Sequence, residues 1–233
     1  MKQIAAFAGV AIAAFLFLRS GSAQAMTDSA TQDSGTVIPP DVLSNADANP
    51  SNENSWNDTQ MIPNMLGTPD QNVSAFLHMI RSCEHKYPDN VTNNVCYQIF
   101  YGGGEFFDLS DHPVTTGECK KVLFTQTQCL QYGYEYGKGW GSTAAGAYQI
   151  LKPIWDNIRS IEPRLSDFSP ASQDQAAIRL LAQCGALSLI QAGNIEDAIA
   201  KASKLWASLP GSTAQQNPKQ LQFALDRFSE GLA

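Results

Sequence analysis

Histidine is scarce in this chain: His78, His85 and His112 are the only three in 233 residues. No His-Glu-x-x-His spacing occurs, and His78, Cys83 and His85 do not share a tight helical face, so no zinc site is expected. A Gly-x-Ser-x-Gly elbow is also missing, which removes the usual hydrolase serine. Gly102-Gly103-Gly104 lacks a following Lys-Ser/Thr and so is no phosphate loop. Charge is low at 16%, and Lys and Arg are absent from residues 26–72. The net charge of −7 argues against a nucleic-acid binder, which presents a basic face to phosphates. No internal repeat is visible.

What charge there is falls unevenly. Residues 26–72 carry seven acids, while 73–233 hold 15 acids against 13 bases and are nearly neutral. The acidic stretch is rich in Ser, Asn, Asp, Thr and Pro without a sustained period, which reads as a flexible linker. Ahead of it, Lys2 precedes an apolar run from Ile4 to Leu18, and Ala23-Gln24-Ala25 has the form of a small-x-small cleavage site. That is the grammar of a secretory signal. The fifteen apolar residues would span roughly 22 Å as a helix, short of the ~30 Å hydrocarbon core. The expectation is an exported protein, periplasmic or secreted. An uncleaved inner-membrane anchor over residues 4–18 is the alternative, and the only membrane contact expected.

The five cysteines, Cys83, Cys96, Cys119, Cys129 and Cys184, all fall after the linker. In an exported chain an odd count allows at most two bridges and one leftover thiol. Cys119–Cys129 would staple a short excursion; Cys83–Cys96 is the second choice, leaving Cys184 free. A Cys–His nucleophile at Cys83 or Cys184 is conceivable, but bridged thiols are inert.

Order is expected from about residue 73. Val73, Phe76, Leu77 and Ile80 recur at helical spacing up to Cys83-Glu84. Tyr97 opens an aromatic, β-branched run broken by glycines, a short hairpin. Residues 114–141 read as an irregular β excursion. Helices are expected over Tyr148–Ile158, after Ser169-Pro170 up to Gly185, after Asn194, and over Leu221–Phe228 with Gly231 as its stop. The fold class is therefore α+β: a mostly helical domain over 73–233 with a small antiparallel β-region.

Carboxylates are the remaining candidates for chemistry. Glu84 closes an apolar helix where the chain leaves the core, a place where a carboxyl becomes half-buried, raises its pKa and serves as a general acid. Glu105, Asp108 and Asp111 follow the glycine turn and could face the same groove. Spacing alone leaves open the plainer reading, solvated helix-end and loop carboxylates.

Six ordered stretches carry a resemblance. They are Ala75-Phe-Leu-His-Met-Ile-Arg-Ser-Cys-Glu84, Gly103-Gly-Glu-Phe-Phe-Asp-Leu-Ser-Asp-His-Pro113, Ser142-Thr-Ala-Ala-Gly-Ala-Tyr-Gln-Ile-Leu151, Asp167-Phe-Ser-Pro-Ala-Ser-Gln-Asp174, Cys184-Gly-Ala-Leu187 and Trp206-Ala-Ser-Leu-Pro-Gly211. Together they cover about residues 73–230, and the chain resembles the phage lambda endolysin family of soluble lytic transglycosylases. The resemblance implies a lysozyme-like domain whose small β-region borders a substrate groove, with Glu84 as the catalytic glutamate. It implies groove residues Tyr148, Gln149, Ser142, Asp111 and His112, with Tyr97 alongside them. It implies peptidoglycan strands as the partner, no metal or cofactor, and a monomer. Glu84 would cut the MurNAc–GlcNAc β-1,4 bond and leave 1,6-anhydro ends. A hydrolysing muramidase and a catalytically silent peptidoglycan-binding module are the alternatives. Two departures stand out: His85 replaces the family's glycine after the glutamate, and Ser-Thr-Ala-Gln follows Gly211 where the lambda member carries an aromatic.

Overall fold

A computed structural model describes residues 67–214 and 218–233, so the leader expected over 1–25 and nearly all of the linker expected over 26–72 lie outside the described residues. The first helix, α1 (Pro69–Glu84), starts four residues before the expected boundary. The cause is a capping box at Thr68. Its hydroxyl accepts from the Gln71 N–H while the Gln71 side chain accepts from the Thr68 N–H, and Pro69 takes the first helical position.

Short elements follow: α2 (Pro88–Thr92), a 3-10 turn (Val95–Gln98), and the hairpin β1 (Ile99–Phe100) with β2 (Gly104–Glu105). In that hairpin Ile99 faces Glu105 and Phe100 faces Gly104, and Gly102 and Gly103 supply the positive φ its turn requires. Next come α3 (Pro113–Thr116), β3 (Val122–Leu123), α4 (Gln126–Tyr132) and β4 (Gly141–Ser142), with β3 and β4 paired antiparallel. The stretch read as a β excursion thus contains a helix, opened by a second capping box, Thr125 with Gln128.

The remaining helices are α5 (Lys152–Ile161), α6 (Pro170–Gln183), α7 (Leu187–Gln191), α8 (Ile195–Ala202) and α9 (Leu221–Leu232). Two expectations need correction. The helix expected from Tyr148 begins at Lys152, because Ala144–Ile150 folds back on itself, with Ala145 bridging both Phe100 and Ile150. Gly231 does not stop α9 but lies within it.

Helix α1 is the axis of the core. Ala75, Phe76, Met79 and Ile80 are fully buried on it, each of the three large side chains worth about 1.5–3 kcal/mol of transfer from water. α9 packs along α1 most extensively, and α7 also touches it. The α1–α9 approach depends on Gly231, where a Cβ would stand 2.7 Å from the Ala75 Cα. Gly231→Ala gains up to about 1 kcal/mol of helix propensity but must push two backbones apart. A net loss of about 1–3 kcal/mol is expected, read as a lower urea midpoint at unchanged slope.

All five cysteines are unpaired, which corrects the expected Cys119–Cys129 and Cys83–Cys96 bridges. Nearness in sequence makes a bridge only when two Cβ atoms face each other. Here Cys129 sits buried on α4 with its Sγ against the Phe124 carbonyl, while Cys119 lies on the turn after α3. Cys83 and Cys96 pack as small apolar groups in the core, and burial pushes their thiols up to about 12 and about 11.

Candidate active site

Glu84 is the last residue of α1, and three pieces of chain meet around it. The first is the helix end itself, where the His85 N–H closes the final turn on the Arg81 carbonyl at 3.0 Å. The second is the folded-back segment 144–150. The third is the loop Trp206–Leu209, which is fixed by Lys219 donating its N–H to the Ser208 carbonyl at 2.8 Å.

Hydrogen bonds close the three into a frame. His85 Nε2 lies 3.1 Å from the Ala147 carbonyl; a carbonyl only accepts, so this nitrogen carries the proton. The Trp206 indole N–H donates to the Tyr148 carbonyl at 3.1 Å. The Ser208 hydroxyl donates to Glu84 Oε1, the direct link between the loop and the carboxyl.

The electrostatics follow from that enclosure. Burial pushes the Glu84 carboxyl up from 4.5 to about 8, although the Ser208 hydroxyl and the Lys219 ammonium favour its charged form. The helix end adds unsatisfied carbonyl dipoles, which also disfavour a carboxylate. Glu84 is therefore protonated at neutral pH yet still partly reachable from solvent. Its neighbour His85 is neutral, because burial lowers its pKa to about 4.

The other expected groove residues turn inward. Tyr148 is fully buried and Tyr97 nearly so. Arg81 Nη1 donates to the Tyr148 and Tyr97 hydroxyls at 2.7 and 3.2 Å, and both hydroxyls donate to Asp174 Oδ1 at 2.6 and 2.8 Å. This network braces the inner side of the frame and leaves neither ring face for a sugar. Gln149 holds a left-handed backbone at φ +48, and its amide donates to the Ile99 and Gly146 carbonyls. Ser142 is fully buried, its hydroxyl accepting from the Ala144 N–H.

Asp111 and His112 also serve the frame. Asp111 accepts from the Trp155 indole N–H at 2.9 Å and from Arg159 at 2.6 Å. Burial works to raise its pKa, but the His112 N–H, Trp155 and Arg159 outweigh it and hold the carboxyl below its usual range. His112 accepts from the Val114 N–H at Nδ1, so Nε2 carries the proton and donates to the Ile150 carbonyl; burial lowers its pKa to about 4. Asp108 is exposed and accepts from the Ser110 N–H. A surface cavity of about 580 Å³ lies elsewhere, between Glu162, Arg164, Ser172 and Arg179, and holds none of these residues.

The arrangement places one protonated carboxyl, oriented by one hydroxyl, on a braced frame. Among the described residues, Ser208 and Lys219 are the side chains that act on it, and no second carboxylate joins them. The profile of the Endolysin family matches residues 74–231. The chain belongs to the endolysin family.

Two endolysins are close relatives. That of Escherichia phage P2 is 38% identical over 157 residues, covering 65% of this chain and 87% of the relative. That of Escherichia phage lambda is 37% identical over 159 residues, covering 67% and 88%. A solved structure of phage lambda lysozyme complexed with a chitohexasaccharide is 32% identical, with a TM-score of 0.54 over 69% of this chain and 94% of that one. The lysozyme-like fold expected from the sequence is thus the fold of the described domain.

Ser208 is the residue of this endolysin that sequence reasoning missed, although it lies in the Trp206–Gly211 stretch that carried the resemblance. A serine in a loop is too common to signal a role; only the fold brings it to Glu84. Its hydroxyl favours the carboxylate, so Ser208→Ala raises the Glu84 pKa further. The alkaline fall of the pH–rate profile, expected near pH 8, should then move upward by up to about one unit. Turnover at neutral pH should drop about tenfold from lost orientation, with KM little changed.

Proposed function

We propose that this endolysin is a peptidoglycan lytic transglycosylase in which Glu84 is the single acid and base. The observation that carries the reading is the Glu84 carboxyl raised to about 8, with no second carboxylate acting on it among the described residues. A general acid must hold its proton at working pH, and this one does. Glycosidases that hydrolyse commonly use a second carboxylate as nucleophile or water base. A transglycosylase has no need of it.

The substrate class rests on the relatives: two are endolysins, and the solved lysozyme binds a chitohexasaccharide, a β-1,4-linked amino sugar. In the proposed reaction Glu84 gives its proton to the oxygen that leaves C1 of N-acetylmuramic acid, and the C1–O4 bond breaks. The resulting carboxylate then takes the proton of the same sugar's C6 hydroxyl, and that oxygen closes on C1. The products are a 1,6-anhydro-muramic end and a free GlcNAc 4-hydroxyl, with Glu84 again protonated. Ring closure gains from proximity, since nucleophile and electrophile belong to one sugar. Ser208 keeps Oε1 aimed through both proton transfers.

The chain is proposed to act outside the cytoplasm as a monomer on glycan strands. Residues 1–25 would be its export signal, or residues 4–18 an anchor; N-terminal sequencing of the exported protein tells these apart. The reaction is tested by mass spectrometry of muropeptides after digestion of purified sacculi. Anhydro-muramic ends, 18 Da lighter than reducing ends by the loss of one water, are expected at every new muramic terminus. Reducing muramic ends would make the enzyme a hydrolysing muramidase instead.

A further inference from the structure

The excursion between α3 and β4 contains an ordered set of rings that the site does not use. Phe124, Tyr134 and Trp140 stack in sequence: Phe124 and Tyr134 lie 6.2 Å apart with planes at 18°, Tyr134 and Trp140 4.4 Å apart at 17°. Phe124 is buried in the core at one end, and Trp140 is 38% exposed at the other. The ladder therefore carries one nearly fixed plane from the core to the surface. The Phe124 N–H donates to the Trp140 carbonyl at 2.9 Å, extending the β3–β4 pairing, and Lys121 Nζ donates to the Gly139 carbonyl at 2.8 Å, holding the turn before Trp140.

The excursion is anchored at its other end as well. The Glu118 carboxylate accepts from the N–H groups of Phe107 and Asp108 at 2.9–3.0 Å, and the Gln128 amide donates to the Tyr101 hydroxyl at 3.2 Å. An exposed indole on so firm a base costs little ordering when a flat ligand lands on it.

Position decides which ligand. β4 leads from Trp140 straight into segment 144–150, whose Ala147 holds His85 beside Glu84. Trp140 and Ala147 are seven positions apart, a span of at most about 25 Å fully extended, and the fold-back at Ala145 and Ile150 shortens it. A polymeric glycan cut at Glu84 continues past the scissile bond on both sides, long enough to meet a ring at that span from Ala147. A pyranose offers a flat face of C–H groups, which a fixed indole plane matches. A lipid interface favours protruding aromatic tips at headgroup depth, whereas this ring lies flat against Tyr134.

We propose that Trp140, backed by Tyr134 and Phe124, is an outer glycan-binding platform that stacks on a sugar of the strand some units from the bond being cut. The proposal rests on the glycan substrate argued above. Platform residues would then govern affinity for long strands and leave the chemical step alone.

The test uses the full chain carrying Glu84→Gln, so that ligand is bound without turnover, with purified sacculi as the long ligand and chitotriose as the short one. Trp140→Ala should weaken sacculus binding about tenfold in a sedimentation assay and leave chitotriose affinity within twofold, the latter also reporting an intact site. Trp140→Phe, which keeps a ring, should recover most of the loss. Equal weakening for both ligands, or none for either, overturns the platform. Binding to anionic lipid vesicles that Trp140→Ala abolishes, with sacculus binding unchanged, overturns it in favour of a membrane-docking face. If the Glu84→Gln parent binds neither glycan, the glycan substrate falls together with the platform; if it binds both but the chain with Glu84 intact releases no anhydro ends from sacculi, only the reaction assignment falls.

Discussion

Glu84→Gln should lower the clearing of purified sacculi about 10³-fold, the middle of what one positioned acid/base contributes, while making the protein more stable at pH 8. The first half follows from the role: a carboxamide keeps the shape of the side chain but has no proton to give to a leaving oxygen. The second half follows from the raised pKa. In the unfolded chain Glu84 ionises near 4.5, in the folded chain near 8. Between these values the native state holds a proton that the unfolded state has lost, so stability falls as pH rises through the window.

Below about pH 4.5 both states are protonated and the substitution is close to neutral. By pH 8 the parent has incurred the whole cost, and Glu84→Gln none of it. The advantage expected there is on the order of 2–4 kcal/mol, less than the full shift implies, because the side chain is partly exposed and the amide cannot fully replace the carboxyl against Ser208. Urea unfolding of both proteins at pH 4.5 and pH 8 measures it. A glutamate kept only for structure would show the reverse, a loss of stability at both. The cost of burying this carboxyl is one the fold bears for the sake of its proton.

How far the sequence discloses this site depends on what kind of signal each residue leaves. Glu84 was a candidate because an apolar helical stripe, Val73 to Cys83, ends at it, but that placement left a solvated helix-end carboxylate open, and the resemblance is what singled it out. Fold class was legible from the residues themselves: Ser169-Pro170 and the Leu221–Phe228 stripe are local signals, and the helices form where they stand. Tyr148 and Gln149 misled, since the same aromatic and amide groups suit a sugar or a buried hydrogen-bond network. Only tertiary contacts with Arg81 and Asp174 decide between them. The cysteines misled because an exported context favours bridges in general, while pairing depends on where Cβ atoms point. The early start of α1 was written in Thr68-Pro-Asp-Gln71, a capping box lost against the polar composition around it.

Gln173 gives the largest expected effect on stability, and it lies far from Glu84 in sequence. Its side chain is fully buried in α6, with each polar atom engaged. Oε1 accepts from the Ala147 N–H at 2.9 Å, and Nε2 donates to the Tyr97 and Phe168 carbonyls at 3.0 and 2.8 Å. One amide thus ties the folded-back segment, the 3-10 turn and the entry to α6. The fit is close enough that Gly146, at φ +74, has no room for a side chain: a Cβ there would lie 2.0 Å from Gln173 Oε1. Gln173→Leu keeps the volume but strands one buried N–H and two carbonyls, each costing about 1–3 kcal/mol. The expected loss is about 4 kcal/mol, a fall in melting temperature of about 8–15 °C for a domain of this size. Gln175→Leu, two residues on and exposed, should change stability by no more than about 0.5 kcal/mol. Activity measured well below the melting point should fall too, because the Ala147 that Gln173 secures is the residue whose carbonyl holds His85, and His85 caps the helix that ends in Glu84. The acid is therefore oriented from two sides, directly by Ser208 and at one remove by Gln173, and only the second should lower activity and stability together.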